Sequence, residues 1–188
     1  MKIHCSKAFA EKLKKAGWTV DGFDPSTGNQ GSTDLGDWHA HIFNMQRRQC
    51  ILFCHNQTRF MLLFPIVTMK ELKRLDYWFS DLLGNVLMKS DIDPELTEFT
   101  IEITADQIQI DTQTDRSVQG TINRVIQELK YQLEYDGTHI EDLAFYSTSV
   151  WLNDRPCKVK GMKVRDLLWP KRAMKDHLTE LFQKRVLH

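Results

Sequence analysis

The chain has 188 residues and 22.1 kDa, and its 25 basic and 25 acidic residues cancel to a formal net charge of zero. That length suits a single domain spanning 1–188, and 41% hydrophobic against 27% charged residues, with 9 Gly and 5 Pro, excludes a disordered or fibrous chain. The longest apolar run, 60–67, is far short of the roughly 20 residues that cross a bilayer, and the opening MKIHCSKAF has no signal-peptide stretch. A cytoplasmic protein with no membrane contact is expected.

Met1 to Cys5 alternates weakly, as a short strand does, and Lys7 to Ala16 carries Phe9 and Leu13 at helical spacing, with Ser6 as N-cap and Gly17 as stop. Asp21 to Asp37 reads as a long loop. Three β segments follow at Trp38–Gln46, Gln49–His55 and Arg59–Val67. The second and third are apolar on both faces, and their connections are short enough for hairpins. The fold class is therefore α+β, with a mainly antiparallel meander whose inner strand is Gln49–His55.

Met69 to Lys89 has one broad apolar helical face. FTIEI and QIQID alternate apolar with polar and read as two strands around Ala105-Asp106 that could extend the meander. Ser117–Tyr135 and Ile140–Leu152 are predicted helices, the first capped by Thr114, Asp115 or Ser117. Met162–Trp169 should hold a short turn or helix, and Lys171–Val186 a basic amphipathic helix that closes a basic segment over 155–188.

Charge is unevenly distributed, with 12 basic and 8 acidic residues in 1–90, 3 and 14 in 91–154, and 10 and 3 in 155–188. Such a tail either contacts nucleic acid, pairs with the acidic middle, or faces solvent. The cysteines Cys5, Cys50, Cys54 and Cys157 form no Cys-x-x-Cys pair, which argues against a disulfide framework or a thiol-rich zinc site.

His39 and His41 share one strand face about 7 Å apart, with Asp37 preceding them on that face, a pattern able to present two imidazoles to a metal or to substrate. No third ligand is identifiable, so neither a metal nor a cofactor is expected, and Asp37, His39 and His41 stand as catalytic candidates. No GxSxG, HExxH or glycine-rich phosphate loop is present. Arg116 and Ser117 open a helix, where backbone N–H groups and a guanidinium favour phosphate or carboxylate, but the plainer and favoured reading is that Asp115 or Ser117 caps the helix while Arg116 pairs with an acidic neighbour. Arg47 and Arg48 lie at a hairpin tip, where they could touch phosphates or an acidic partner.

The stretch LGDWHAHIFNMQRRQCILFCHNQTRF resembles the signature of an uncharacterised bacterial domain-of-unknown-function family, seen as LGDWHANL followed by RRKCLLFVN. MKIHCSKAFAEKLKK looks like that family's opening, DRSVQGTINRVIQELKYQLEY like its NRSVLGSMND helix, and WLNDRPCKVKG like its LNRTPM segment. Asp115 stands where the family has Asn, Gln119 where it has Leu and Cys157 where it has Met. The resemblance implies a small stand-alone bacterial protein and brings no activity, cofactor or catalytic residue.

Three function classes remain open. A binding or regulatory protein contacting protein or nucleic acid would use Arg47, Arg48, Arg116, Ser117 and Asn123. An enzyme acting on a phosphorylated or nucleic-acid substrate would assemble Asp37, His39, His41 and Arg116. A structural or self-assembling protein would need neither. Convergence of Asp37, His39, Arg48, Arg116 and Asn123 in one pocket would favour the enzyme, and dispersion the interaction protein.

Overall fold

The computed structural model describes residues 1–20, 35–104, 108–159 and 167–187. Its strands are β1 (Lys2–Cys5), β2 (Trp38–Met45), β3 (Arg48–His55), β4 (Met61–Phe64) and β5 (Gln109–Asp111), joined in one sheet in the order β4-β3-β2-β1-β5. β2, β3 and β4 form the expected antiparallel meander, with β3 inside it. The sheet as a whole is mixed, which corrects the expectation of a mainly antiparallel one. β1 lies parallel to β2 on one side and to β5 on the other. Parallel neighbours are joined by long crossovers, so hairpin spacing gives no sign of them.

Helices cover both faces. On one, Ile3, Trp38, Ala40, Phe53 and Leu62 pack against α1 (Lys7–Lys15), α3 (Leu75–Lys89) and α7 (Pro170–Val186) through Phe9, Leu13, Phe79, Leu83, Met174 and Leu178. On the other, Cys50, Leu52, Cys54 and Leu63 pack against Val118, Ile122, Val125 and Leu129 of α5 (Arg116–Asp136). This double cover is why β3 reads as apolar on both faces.

Local geometry corrects several expected elements. The long helix from Met69 divides into α2 (Met69–Leu72), opened by a Thr68/Glu71 capping box, and α3, because Arg74 adopts φ −124°, ψ 40°. The third strand shortens to β4, flanked by Arg59 (φ 58°) and Ile66 (φ 54°) in left-handed conformations that no ladder accommodates. Ile140–Leu152 becomes a 3₁₀ turn (Ile140–Asp142) followed by α6 (Phe145–Asn153).

The segment FTIEI is not a strand but the second half of a helix, α4 (Pro94–Thr104). Its buried positions are Leu96, Thr97, Phe99, Thr100 and Thr104. The Thr100 and Thr104 hydroxyls donate to the carbonyls of Leu96 (2.6 Å) and Thr100 (2.8 Å), so Thr100, a polar position of the alternating FTIEI pattern, is satisfied inside the helix, as is Thr104 after it. The turn expected at Ala105-Asp106, residues 21–34 of the loop expected over Asp21–Asp37, and the segment 162–166 lie outside the described residues.

α6 seals the outer edge of β4. The Asn153 amide accepts from Met61 N (2.7 Å) and donates to Met61 O (2.8 Å), while Ser149 Oγ accepts from Leu63 N (2.9 Å). The basic α7 pairs with the acidic middle of the chain: Lys171 with Asp154 (3.3 Å), Lys175 with Asp93 (3.3 Å) and Arg185 with Glu102 (2.9 Å). No helix among the described residues is long and apolar enough to cross a membrane.

Candidate functional site

Strand register sets Asp111, His4, His39, Cys54 and Met61 side by side across β5, β1, β2, β3 and β4. His4 Nδ1 donates to Asp111 Oδ1 at 2.6 Å, and its Nε2 lies 3.5 Å from Asp37 Oδ2. Burial disfavours the charged ring, but the two carboxylates outweigh it and raise its pKa to about 9. His4 is thus an imidazolium at neutral pH. The His39 ring sits 4.8 Å from it and is pushed down to about 4, first by burial and then by the His4 charge. Its Nε2 accepts the backbone N–H of Asp115 at 2.9 Å, which ties the start of α5 to β2.

The LGDWHA residues each have a local task. The Leu35 carbonyl accepts from the Nε2–H of His55 (2.7 Å) and of His177 on α7 (2.9 Å). Gly36 has φ +93°, and a Cβ there would lie 3.0 Å from His55 Nε2. Asp37 faces His4, and its carbonyl accepts from Asn56 N. Trp38 is fully buried with its ring 5.1 Å from that of Phe79. Burial drives His55 down to about 3, keeping it neutral, with Nδ1 accepting from Thr58.

This arrangement holds strands together more readily than it moves protons. Both nitrogens of His4 face carboxylates, and one nitrogen of His39 is occupied by the backbone. His41 pairs with Leu52 across β2 and β3 and is shifted down by burial. Cys54 is raised to about 12 by burial, which removes it as a nucleophile at neutral pH. Among the described residues, no group of three or more His, Cys, Asp or Glu side chains is placed to hold a metal.

A second feature lies at the start of α5. Asp115 caps the helix by accepting from Ser117 N (2.6 Å) and Val118 N (3.0 Å), and Ser117 Oγ accepts from the buried Arg59 (3.3 Å). Arg116, Ser117, Gly120, Thr121, Arg124 and Lys158 line a cleft over these first turns. Asn123 is exposed on the same helix.

The predicted residues therefore divide into separate groups. Asp37 and His39 meet in the sheet, and Arg116 and Ser117 in the cleft. Arg47 and Arg48 lie at the far end of the β2–β3 hairpin, about 20 Å along the strand from His39, where Arg48 pairs with Glu141. Sequence reasoning missed His4, Asp111, Arg59, Arg124 and Lys158. His4 is a lone histidine in a four-residue strand, and only the parallel register connects it to His39.

Residues 2–173 match a family model described as Domain of unknown function (DUF6933). The chain belongs to that family. The matched span contains the LGDWHA stretch, the Arg116–Arg124 turns of α5 and the Leu152–Pro156 segment on which the resemblance rests. No curated protein matches this DUF6933 chain.

Proposed function

We propose that the protein is a binding module that takes a phosphate-bearing ligand in the cleft at the start of α5. One observation carries this reading: Arg116, Arg124 and Lys158 converge around the exposed Gly120 with no ion-pair partner among the described residues. The cations of α7, by contrast, are largely neutralised by Asp93, Asp154 and Glu102. Unpaired cations in a concave site with nearby hydroxyls suit a phosphate group.

Gly120 supports the same reading. Glycine inside a helix costs about 0.5–1 kcal/mol relative to alanine, and here neither conformation nor packing calls for it. A Cβ at Gly120 would meet nothing within 4 Å. The bare backbone leaves room for a ligand to approach α5 between Arg116 and Arg124.

An enzymatic role for Asp37, His39 and His41 has less support, because the imidazole beside them is locked as a cation between two carboxylates. Calorimetric titration with inorganic pyrophosphate tests the binding reading. Binding should weaken between about 50 and about 200 mM salt and disappear when Arg116→Glu and Arg124→Glu are combined. Absence of binding by the unaltered protein at low salt would overturn it.

A further inference from the structure

The cleft at Arg116 is the first of three depressions along α5 that share lining residues and are read together as one groove. Thr121, Arg124 and Lys158 also line an adjoining depression that reaches Glu128 and Arg155. Glu128 and Arg155 then line a third, with Tyr131, Gln132 and Tyr135. From Arg116 to Tyr135 the groove follows α5 for about 28 Å at the helical rise.

Its two ends differ in chemistry. The first holds Arg116, Arg124 and Lys158, which have no ion-pair partner among the described residues. At the second, Tyr131 and Tyr135 are 67% and 89% exposed, more than any other aromatic side chain among the described residues. They stand one helical turn apart, about 6 Å along the axis, so both rings face the same solvent. In the middle, Arg155 is neutralised by Glu128 at 3.0 Å and lies 4.7 Å over the Trp151 ring, which leaves that stretch without net charge.

We propose that this groove binds single-stranded nucleic acid, with backbone phosphates at Arg116, Arg124 and Lys158 and bases stacked on Tyr131 and Tyr135. The inference rests on the phosphate reading of the cleft and adds the identity of the ligand. Aromatic platforms beside cations are how sequence-tolerant single-strand sites are built, because every base presents a π-face and only an unpaired base can offer it. The length of the groove corresponds to about four nucleotides, the short end of known site sizes. A duplex keeps its bases stacked internally and has nothing to offer the tyrosines.

The test uses the full chain and a fluorescently labelled oligothymidylate of about eight nucleotides, with affinity read by anisotropy and inorganic pyrophosphate titrated in parallel. The expected dissociation constant is on the order of 10⁻⁵ M at low salt, with a log–log salt slope of about −2 for three phosphate contacts. Tyr131→Ala with Tyr135→Ala should weaken the oligonucleotide about tenfold or more and leave pyrophosphate unchanged, while Phe at both positions should retain the oligonucleotide affinity. A hairpin duplex of equal charge should bind about tenfold less tightly. Oligonucleotide affinity that is unmoved by the alanine pair, or matched by the duplex, would overturn the single-strand inference while pyrophosphate binding preserved the phosphate reading. Failure of both ligands to bind would overturn both.

Discussion

His4 and Asp111 meet across parallel strands, with the imidazole Nδ1 donating to the carboxylate Oδ1 at 2.6 Å. Asp37 faces the other nitrogen at 3.5 Å, and the neutral His39 ring lies beside it. Because the folded pKa of about 9 lies above the ordinary 6.5, the stabilisation is fully present below pH 6.5 and is lost as pH rises through 9. Urea midpoints should fall across that window by the equivalent of about 2 kcal/mol, allowing for partial solvation of the Asp37 contact. His4→Gln should flatten the decline. Loss confined to pH values above 9, where buried thiols such as Cys54 begin to matter, would refute the assignment.

The acid side has the opposite sign. His39 and His55 are held neutral at about 4 and about 3, so their contribution is present above the ordinary pKa of 6.5 and is lost as pH falls toward those values. Stability should therefore begin to decline just below pH 6.5, before most carboxylates titrate. Imidazole C–H signals followed by NMR should show two rings uncharged down to about pH 4 and one charged up to about pH 9. Titration of the assigned His4, His39 and His55 rings near 6.5 would contradict this geometry.

Asn153→Ala removes both side-chain partners of Met61 and leaves a buried N–H and C=O unsatisfied. The expected cost is about 2–4 kcal/mol in chemical denaturation. Hydrogen exchange at the Met61 amide should accelerate more than at the Leu52 amide on β3.

Leu52 is 1% exposed in the inner meander strand, between β2 and β4. Leu52→Ala should cost about 2–5 kcal/mol. A cost below about 1 kcal/mol would mean that α5 does not press on the sheet there.

Gly120→Ala carries two expectations of opposite direction. The folded protein should gain about 0.5–1 kcal/mol, because the added methyl meets no neighbour and the helix favours alanine. Pyrophosphate affinity should fall, because the methyl stands between Arg116 and Arg124. Gain of stability without loss of affinity would separate the glycine from ligand binding.

What was legible in the sequence is what local pattern determines. α1 runs from Lys7 to Lys15 behind the Ser6 cap, α5 from Arg116 to Asp136 behind Asp115, and the β2–β3–β4 meander follows its hairpins. The hairpin tip itself needed no glycine. Gln46 and Arg47 hold φ of 47° and 67°, and the Gln46 amide is fixed by bonds to Thr138 O and Ile140 N. Long-range placement was not legible, because nothing in Lys2–Cys5 announces that this strand separates β2 from β5. The same gap hid His4, whose chemistry exists only once Asp37 and Asp111 are brought to it. Arg124 and Lys158 were overlooked because a cleft between a helix and a distant segment leaves no periodic signature.

The position of β1 also determines when the molecule can become whole. His4 waits for Asp111, 107 residues later in the chain, and the Leu35 carbonyl waits for His177, 142 residues later. A ribosome makes about 5–20 residues per second, so β1 spends several seconds without the neighbour that completes its side of the sheet. Contacts of such long separation also slow the search once synthesis is finished. Until then the Lys2–Cys5 edge is an open pairing surface, and the nascent chain is most exposed to chaperones and to misassembly with other chains over that interval.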